Sequence, residues 1–219
     1  MKKQETIIIF GAHFDDEVLS SGGTIKKYSQ EGKKIVSVIF HIGGASIPWL
    51  KEKLVIKERL KETEKVHKML GISETICLGV QEFKRKGEAE KKDAVERVKN
   101  LIKKHKPSKI FCHSRFDAHQ DHRFVNAVVL KAVKDIDYKG DVYTFDIWNP
   151  AKVFDIVSKQ RPKLCVDISK TFKTKLKAIE AYKSQKLYTY QLLPSVHFNA
   201  RKTATKINVK FAECFEKIR

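Results

Sequence analysis

The run Thr6-Ile7-Ile8-Ile9-Phe10 has no polar alternation and stops abruptly at Gly11-Ala12-His13-Phe14-Asp15-Asp16-Glu17. An unbroken apolar, β-branched run of this length fits a strand buried on both faces, as in a sheet sandwiched between helices. Directly after it, one imidazole and three carboxylates fall within five residues. Charged groups at the edge of a core are costly unless a metal, a proton transfer or a partner compensates them. A second polar cluster, Asp117-Ala118-His119-Gln120-Asp121-His122, follows another apolar run, Ile110-Phe111-Cys112. Two such clusters at matching strand ends predict the halves of one metal site.

The rest of the chain alternates between two periodicities. Strands are expected over residues 6–12, 34–41, 75–80, 109–112, 141–148 and 165–168. Helices are expected over 16–30, 51–69, 88–105, 121–133 and 170–183, with a last helix over 209–218. Gly32 and Gly71 mark two helix ends, and Pro107 follows a third. This βαβα order predicts an α/β fold with a Rossmann-like, doubly wound, mostly parallel sheet. Residues 149–163, with Pro150 and Pro162, mark the expected border between a core of about 1–148 and a C-terminal elaboration of about 149–219. The 219 residues are read as a single domain.

Composition removes several function classes. With 42% hydrophobic and 32% charged residues, the chain suits a globular protein rather than a disordered one. No apolar run approaches membrane-spanning length, and the short run after Met1-Lys2-Lys3 is no signal-peptide core. Cys77, Cys112, Cys165 and Cys214 are widely spaced without a CxxC pair, so they read as reduced thiols of a cytoplasmic protein. The net charge is +19, and residues 150–219 hold 16 Lys/Arg against 5 Asp/Glu. These lysines fall at polar positions of amphipathic helices, with no aromatic-interleaved basic stripe. Nucleic acid is therefore not the expected partner, whereas an anionic small substrate would be drawn to such a surface.

In a strand order 3-2-1-4-5, strands 1 and 4 are neighbours, and the crevice beyond their carboxyl ends is the usual ligand site. That order brings the two clusters together. Neither a GxGxxG nor a Walker A motif follows strand 1, which argues against those modes of nucleotide binding. His13 and Asp16 are three apart across a strand-to-helix turn; His119 and His122 are three apart at a helix start. Two histidines and one carboxylate from this set, with a position left for water, suit a catalytic zinc or related divalent metal. Asp15 is then a carboxylate beside the metal, able to take a proton from water, and Asp121 is placed to orient an imidazole. Either cluster alone has a plainer explanation, because carboxylates are favoured at helix N-termini. Their conjunction at neighbouring strand ends does not.

At these residues the chain resembles the LmbE-like, or PIG-L, zinc-dependent N-acetylglucosaminyl deacetylases. The family signature AHPDDE is matched by Ala12-His13-Phe14-Asp15-Asp16-Glu17, with Phe14 in place of proline. The second signature, HPDH or HQDH, is matched by His119-Gln120-Asp121-His122. Weaker similarities at Arg59-Leu60-Lys61-Glu62, Lys183-Ser184-Gln185 and Phe211-Ala212-Glu213-Cys214-Phe215 extend the resemblance along nearly the whole chain. It implies an LmbE-like fold in which His13, Asp16 and His122 are metal ligands. Asp15 is implied as the general base that activates water for attack on an acetamide carbonyl. His119, held by Asp121, is implied as the imidazolium that stabilises the intermediate or protonates the departing amine. Arg59 is similar to a family arginine that contacts the sugar or its anionic aglycone. Tyr188, Tyr190 and His197 all stand open as the further oxyanion donor.

The expected activity is removal of an N-acetyl group from an amino-sugar conjugate, with Zn2+ as cofactor and Fe2+ or Co2+ as substitutes. Hydrolysis of another small amide or ester, and a basic nucleic-acid binder with a structural metal, are the alternatives. The loop after strand 2, His41-Ile42-Gly43-Gly44, is placed to contact substrate. His113 reads as a structural histidine, and Trp49 and Trp148 as core or oligomer contacts. The oligomeric state, a homo-oligomer included, is left open by the sequence.

Overall fold

The computed structural model describes residues 4–42, 52–80, 87–147 and 162–219. In chain order these form β1 (Thr6–Gly11), α1 (Asp16–Gln30), β2 (Lys34–Ile39), α2 (Glu52–Leu70), β3 (Glu74–Cys77), α3 (Glu88–His105) and β4 (Lys109–His113). There follow α4 (Gln120–Asp135), β5 (Asp141–Phe145), β6 (Lys163–Asp167), α5 (Phe172–Glu180), a 3-10 turn (Lys183–Gln185), α6 (Lys186–Ala204) and β7 (Ala212–Lys217). The strands make one seven-stranded sheet in the order β3-β2-β1-β4-β5-β7-β6. The first five are parallel, so the expected 3-2-1-4-5 arrangement is present, and β7 runs antiparallel to both β5 and β6.

The β1 run explains the layering. Ile7 and Ile9 face a core shared with Val18, Ile25, Val66, Leu70 and Ile179, on the side of α1, α2, α5 and α6. Ile8, Phe10 and Ala12 face the other core, shared with Val95, Val98, Val125 and Val129 of α3 and α4. Both faces are closed, which is why β1 shows no polar alternation. Helices α1 and α2 end in Gly32 (φ 77°) and Gly71 (φ 80°), left-handed positions where a side chain would be strained. The chain then re-enters the sheet at β2 and β3 without a long loop.

The structure corrects the sequence reading at three places in the C-terminal third. Residues 212–217 are a strand, not a helix: β7 fills the slot between β5 and β6, with Thr144 opposite Glu216 and Cys165 opposite Cys214. Val209, Phe211, Phe215 and Ile218 mimic helical spacing, but an open sheet edge decides for strand. A 19-residue helix, α6, occupies residues for which no helix was expected, and it carries Pro194 inside. Its inward stripe, Leu192, Val196, Ala200 and Ala204, recurs every four residues, and its buried members Leu192 and Ala200 join the α1-side core. Finally, Cys165 and Cys214 form a disulfide across β6 and β7, while Cys77 and Cys112 are free. The reading of four reduced thiols fails for two of them, and it takes with it the compositional case for a reducing compartment. Among the described residues, no helix is long and apolar enough to cross a membrane.

The expected border at 149–163 falls almost wholly outside the described residues, as do Gly43, Gly44, Trp49 and Trp148. Nothing is described of the Tyr188 side chain.

Candidate active site

The carboxyl ends of β1 and β4 meet where the two polar clusters converge. Asp15 is the N-cap residue of α1, and its carbonyl accepts from the amides of Val18 and Leu19. The same turn folds the Asp16 carboxylate back onto β1: Oδ2 accepts from the backbone amides of Ala12 (2.9 Å) and His13 (2.7 Å). His113, at the end of β4, brings its Nε2 to 3.1 Å from the same oxygen. The other oxygen, Oδ1, lies 3.4 Å from Nε2 of His122. His13 Nδ1 stands 3.5 Å from Asp16 Oδ2. Asp16 thus stands between the other two expected ligands, with His13 near one of its oxygens and His122 near the other.

The α4 side is fixed by Asp117. Its Oδ1 lies 2.9 Å from His122 Nδ1 and accepts from the His119 amide at 3.0 Å, while Oδ2 accepts from the Ile147 amide at 3.0 Å. A carboxylate this close to Nδ1 favours the proton there, which would leave the Nε2 lone pair facing Asp16, the arrangement in which a histidine ligates a metal. His119 caps α4, and its Nδ1 accepts from the Asp121 backbone amide at 3.2 Å, so its proton sits on Nε2. That amide is how Asp121 reaches His119. The Asp121 carboxylate lies toward two other rings, with Oδ2 3.5 Å from His13 Nε2 and Oδ1 3.7 Å from His41 Nε2.

The cluster is strongly anionic and mostly buried. Burial, then the charge of Asp16, pushes the Asp15 carboxyl up to about 7, although its side chain is only half-buried by exposed area. Burial works against ionisation of Asp16 as well, but the His122 and His113 imidazoles hold it well below the usual carboxylate range. Burial opposes charge on His13 and His122, yet Asp121 and Asp16 raise the first to about 10, and Asp16 and Asp117 raise the second to about 9. An environment that draws positive charge onto two ligand imidazoles is one that a divalent cation would also neutralise. His119 differs: burial and the neighbouring His122 and His13 push it down.

The donor set fits a metal. Ligand atoms of His13, His119 and His122 lie within 4.8 Å of one another, and so do those of Asp16, His113 and His122. Nitrogen and carboxylate donors in this number suit zinc and its borderline neighbours.

Other expected residues are placed differently. Phe14 is 1% exposed and packs in the core beneath α1, so the ring replacing proline reshapes the core rather than the crevice wall. Arg59 is buried, not solvated; it shares a face of α2 with buried Thr63 and His67. His67 meets Glu17 beside the site, and Arg59 lies two turns nearer the N-terminus of α2, about 12 Å along the helix. His41 is fully buried, its Nδ1 donating to the Val80 carbonyl at 2.8 Å, which withdraws this side chain from substrate contact. Tyr190 and His197 are exposed on α6, and His197 sets its ring against Phe172 at 5.0 Å. Sequence reasoning gave no role to Asp117, whose spacing before His119 and His122 was the available signal, and none to His67 or, beyond structure, His113.

Comparison with known proteins gives the family and the fold. The family described as PIG-L, GlcNAc-PI de-N-acetylase, matches residues 8–133. The curated relative "Uncharacterized deacetylase YaiS" of Escherichia coli (strain K12) is 25% identical over 189 residues, 83% of this chain and 92% of that protein. Among solved structures, N,N'-diacetylchitobiose deacetylase from Pyrococcus horikoshii superposes with a TM-score of 0.77 at 22% identity, covering 99% of this chain and 85% of that one. GalB, the 4-carboxy-2-hydroxymuconate hydratase from Pseudomonas putida KT2440, gives 0.81 at 18% identity, covering 99% and 97%. The family match spans both signature clusters and more than half of the sequence, and the chain belongs to the PIG-L, or LmbE-like, family of de-N-acetylases.

Proposed function

We propose that the protein hydrolyses the acetamide of an N-acetylglucosamine-type conjugate, using His13, Asp16 and His122 to hold a divalent metal, with zinc foremost and Fe2+ or Co2+ as substitutes. Bound there, such an ion polarises the acetyl carbonyl and acidifies water. One observation carries the reading: Asp15, the N-cap residue of α1, sits in the same turn as two of the three ligands. A carboxylate there is placed to take a proton from the attacking water. His119, with its proton on Nε2, faces the same crevice and donates to the developing oxyanion or to the departing nitrogen. Arg59 of α2 supplies a cation for the sugar or an anionic aglycone. Residues 1–219 act as one deacetylase domain, a reading supported by the insertion of β7 between β5 and β6.

The fold alone would not select this chemistry, because a hydratase shares it. The family match and the AHFDDE and HQDH clusters make the choice, against another small amide or ester on the same scaffold. A panel of N-acetylglucosamine conjugates assayed for released acetate tests it. Parent protein loaded with zinc should release acetate from at least one member. Asp15→Asn should keep its metal and lose at least about 100-fold in turnover. Metal-loaded protein that hydrolyses only other amides or esters would overturn the substrate assignment.

A further inference from the structure

We infer that His113 is a positioning residue for the metal site: its Nε2 proton is donated to Asp16 Oδ2 and thereby leaves Oδ1 as the single ligating oxygen. His113 is fully buried at the end of β4, and its ring stacks on His122 with centroids 4.0 Å apart. Its Nε2 lies 3.1 Å from Asp16 Oδ2 and also 3.1 Å from the Ala12 amide nitrogen. Two tautomers are conceivable, and they differ in cost. With the proton on Nδ1, that N–H is buried without an acceptor, and the Nε2 lone pair accepts from the Ala12 amide but also faces a carboxylate oxygen at 3.1 Å. With the proton on Nε2, the contact becomes a charge-assisted hydrogen bond, and only a weak ring acceptor is left unpaired. The Ala12 amide gives up its 3.1 Å contact with Nε2 but keeps the shorter hydrogen bond to Asp16 Oδ2 at 2.9 Å.

Three donors then converge on Oδ2: the Ala12 amide, the His13 amide and the His113 ring. An oxygen so occupied has no lone pair to spare for a cation. Oδ1, which faces His122 Nε2 at 3.4 Å, keeps its lone pairs. A carboxylate divided in this way binds through one oxygen, which preserves an open position for water instead of filling it with a second oxygen. Two of the donors are backbone groups that any residue would supply, whereas the third depends on the side chain of residue 113.

This inference rests on the metal reading above, and the test separates the two. Zinc affinity is measured by chelator competition, and the visible spectrum of the Co2+-loaded protein reports coordination. His113→Leu keeps bulk and removes the donor; it should bind zinc about 10- to 100-fold more weakly and alter the Co2+ spectrum. His113→Gln places an amide N–H at similar reach and should restore affinity to within about threefold of the parent. His113→Asn, too short to reach Oδ2, should behave like His113→Leu and decides the matter where the leucine variant does not fold. Folded His113→Leu or His113→Asn protein with parental zinc affinity and spectrum would overturn this role alone. A parent protein that binds neither zinc nor cobalt would overturn the metal reading and this inference together.

Discussion

Asp117 Oδ1 lies 2.9 Å from His122 Nδ1, and the same carboxylate accepts amides from both the α4 N-terminus and the segment after β5. A single buried side chain therefore sets the tautomer of a proposed ligand and ties two neighbouring strand ends together. His122, after the opposing pull of burial, is what holds the Asp117 carboxyl below its ordinary range.

Replacing Asp117 should thus affect metal binding and folding separately. Asp117→Asn keeps the shape but cannot accept at every oxygen position, and it loses the charge opposite His122. Zinc affinity should fall by about 10-fold or more. The folded state should lose about 1–3 kcal/mol, because one buried amide is left without its acceptor. Chelator competition and urea unfolding of the metal-free protein read the two effects. Unchanged zinc affinity would show that His122 does not depend on Asp117 for its orientation.

Glu17 has a second, purely structural pairing. Its carboxylate is fully buried, and Oε1 accepts from His67 Nε2 at 2.7 Å, while His67 Nδ1 meets Thr75 Oγ1 at 2.6 Å. Glu17 thereby pins α1 to α2 and β3. Burial raises its carboxyl and His67 counters this. His67→Phe preserves the ring and deletes both partners, so it should cost about 3 kcal/mol by leaving a buried acceptor unpaired. A loss under about 0.5 kcal/mol in urea unfolding would show that water replaces the imidazole without penalty.

A pH effect on stability follows from Glu5, at the opposite end of β1. Hydrogen bonds from Lys109 and then Ser108 hold its carboxyl down to about 2, from an ordinary 4.5. A folded pKa below the unfolded one contributes stability that is complete above about pH 4.5 and is lost as the pH falls toward 2. The side chain is about a third exposed, so solvent screening reduces the contribution to about 1 kcal/mol. Glu5→Gln should therefore be less stable than the parent at pH 6 and equal to it near pH 2. A difference that persists unchanged at low pH would assign the effect to packing instead.

The residues that proved legible are those whose sequence spacing equals their spatial logic. Ile7 and Ile8 announce a strand covered on both faces because both faces are covered within a few residues' reach of their own helices. His13 and Asp16, or His119 and His122, share a turn, so a separation of three was enough to join them. What escaped is held by contacts distant in sequence. His113 meets Asp16 across 97 positions, and Glu17 meets His67 across 50. No local pattern encodes such pairs. Residues 212–217 were misread for the same reason, since their strand exists only because β5 and β6 leave a slot of the right width.

The Cys165–Cys214 bond is the most consequential of these long-range contacts for stability. It links directly opposed residues of β6 and β7, separated by 49 positions that include α5 and α6. Closing a loop of this length restricts the unfolded chain, and the stabilisation should be about 2–4 kcal/mol. Among the described residues β6 is the outermost strand and pairs with β7 alone, so reduction should loosen that edge first. The proposed metal site at β1 and β4 lies on the far side of β5 and should keep its affinity. Unfolding with and without reductant, alongside Cys214→Ser, checks the stability; hydrogen exchange of the β6 and β7 amides checks the location. Equal stability with and without reductant would mean that the antiparallel pairing alone holds the edge, and a parallel loss of zinc affinity would show that the edge and the crevice are coupled.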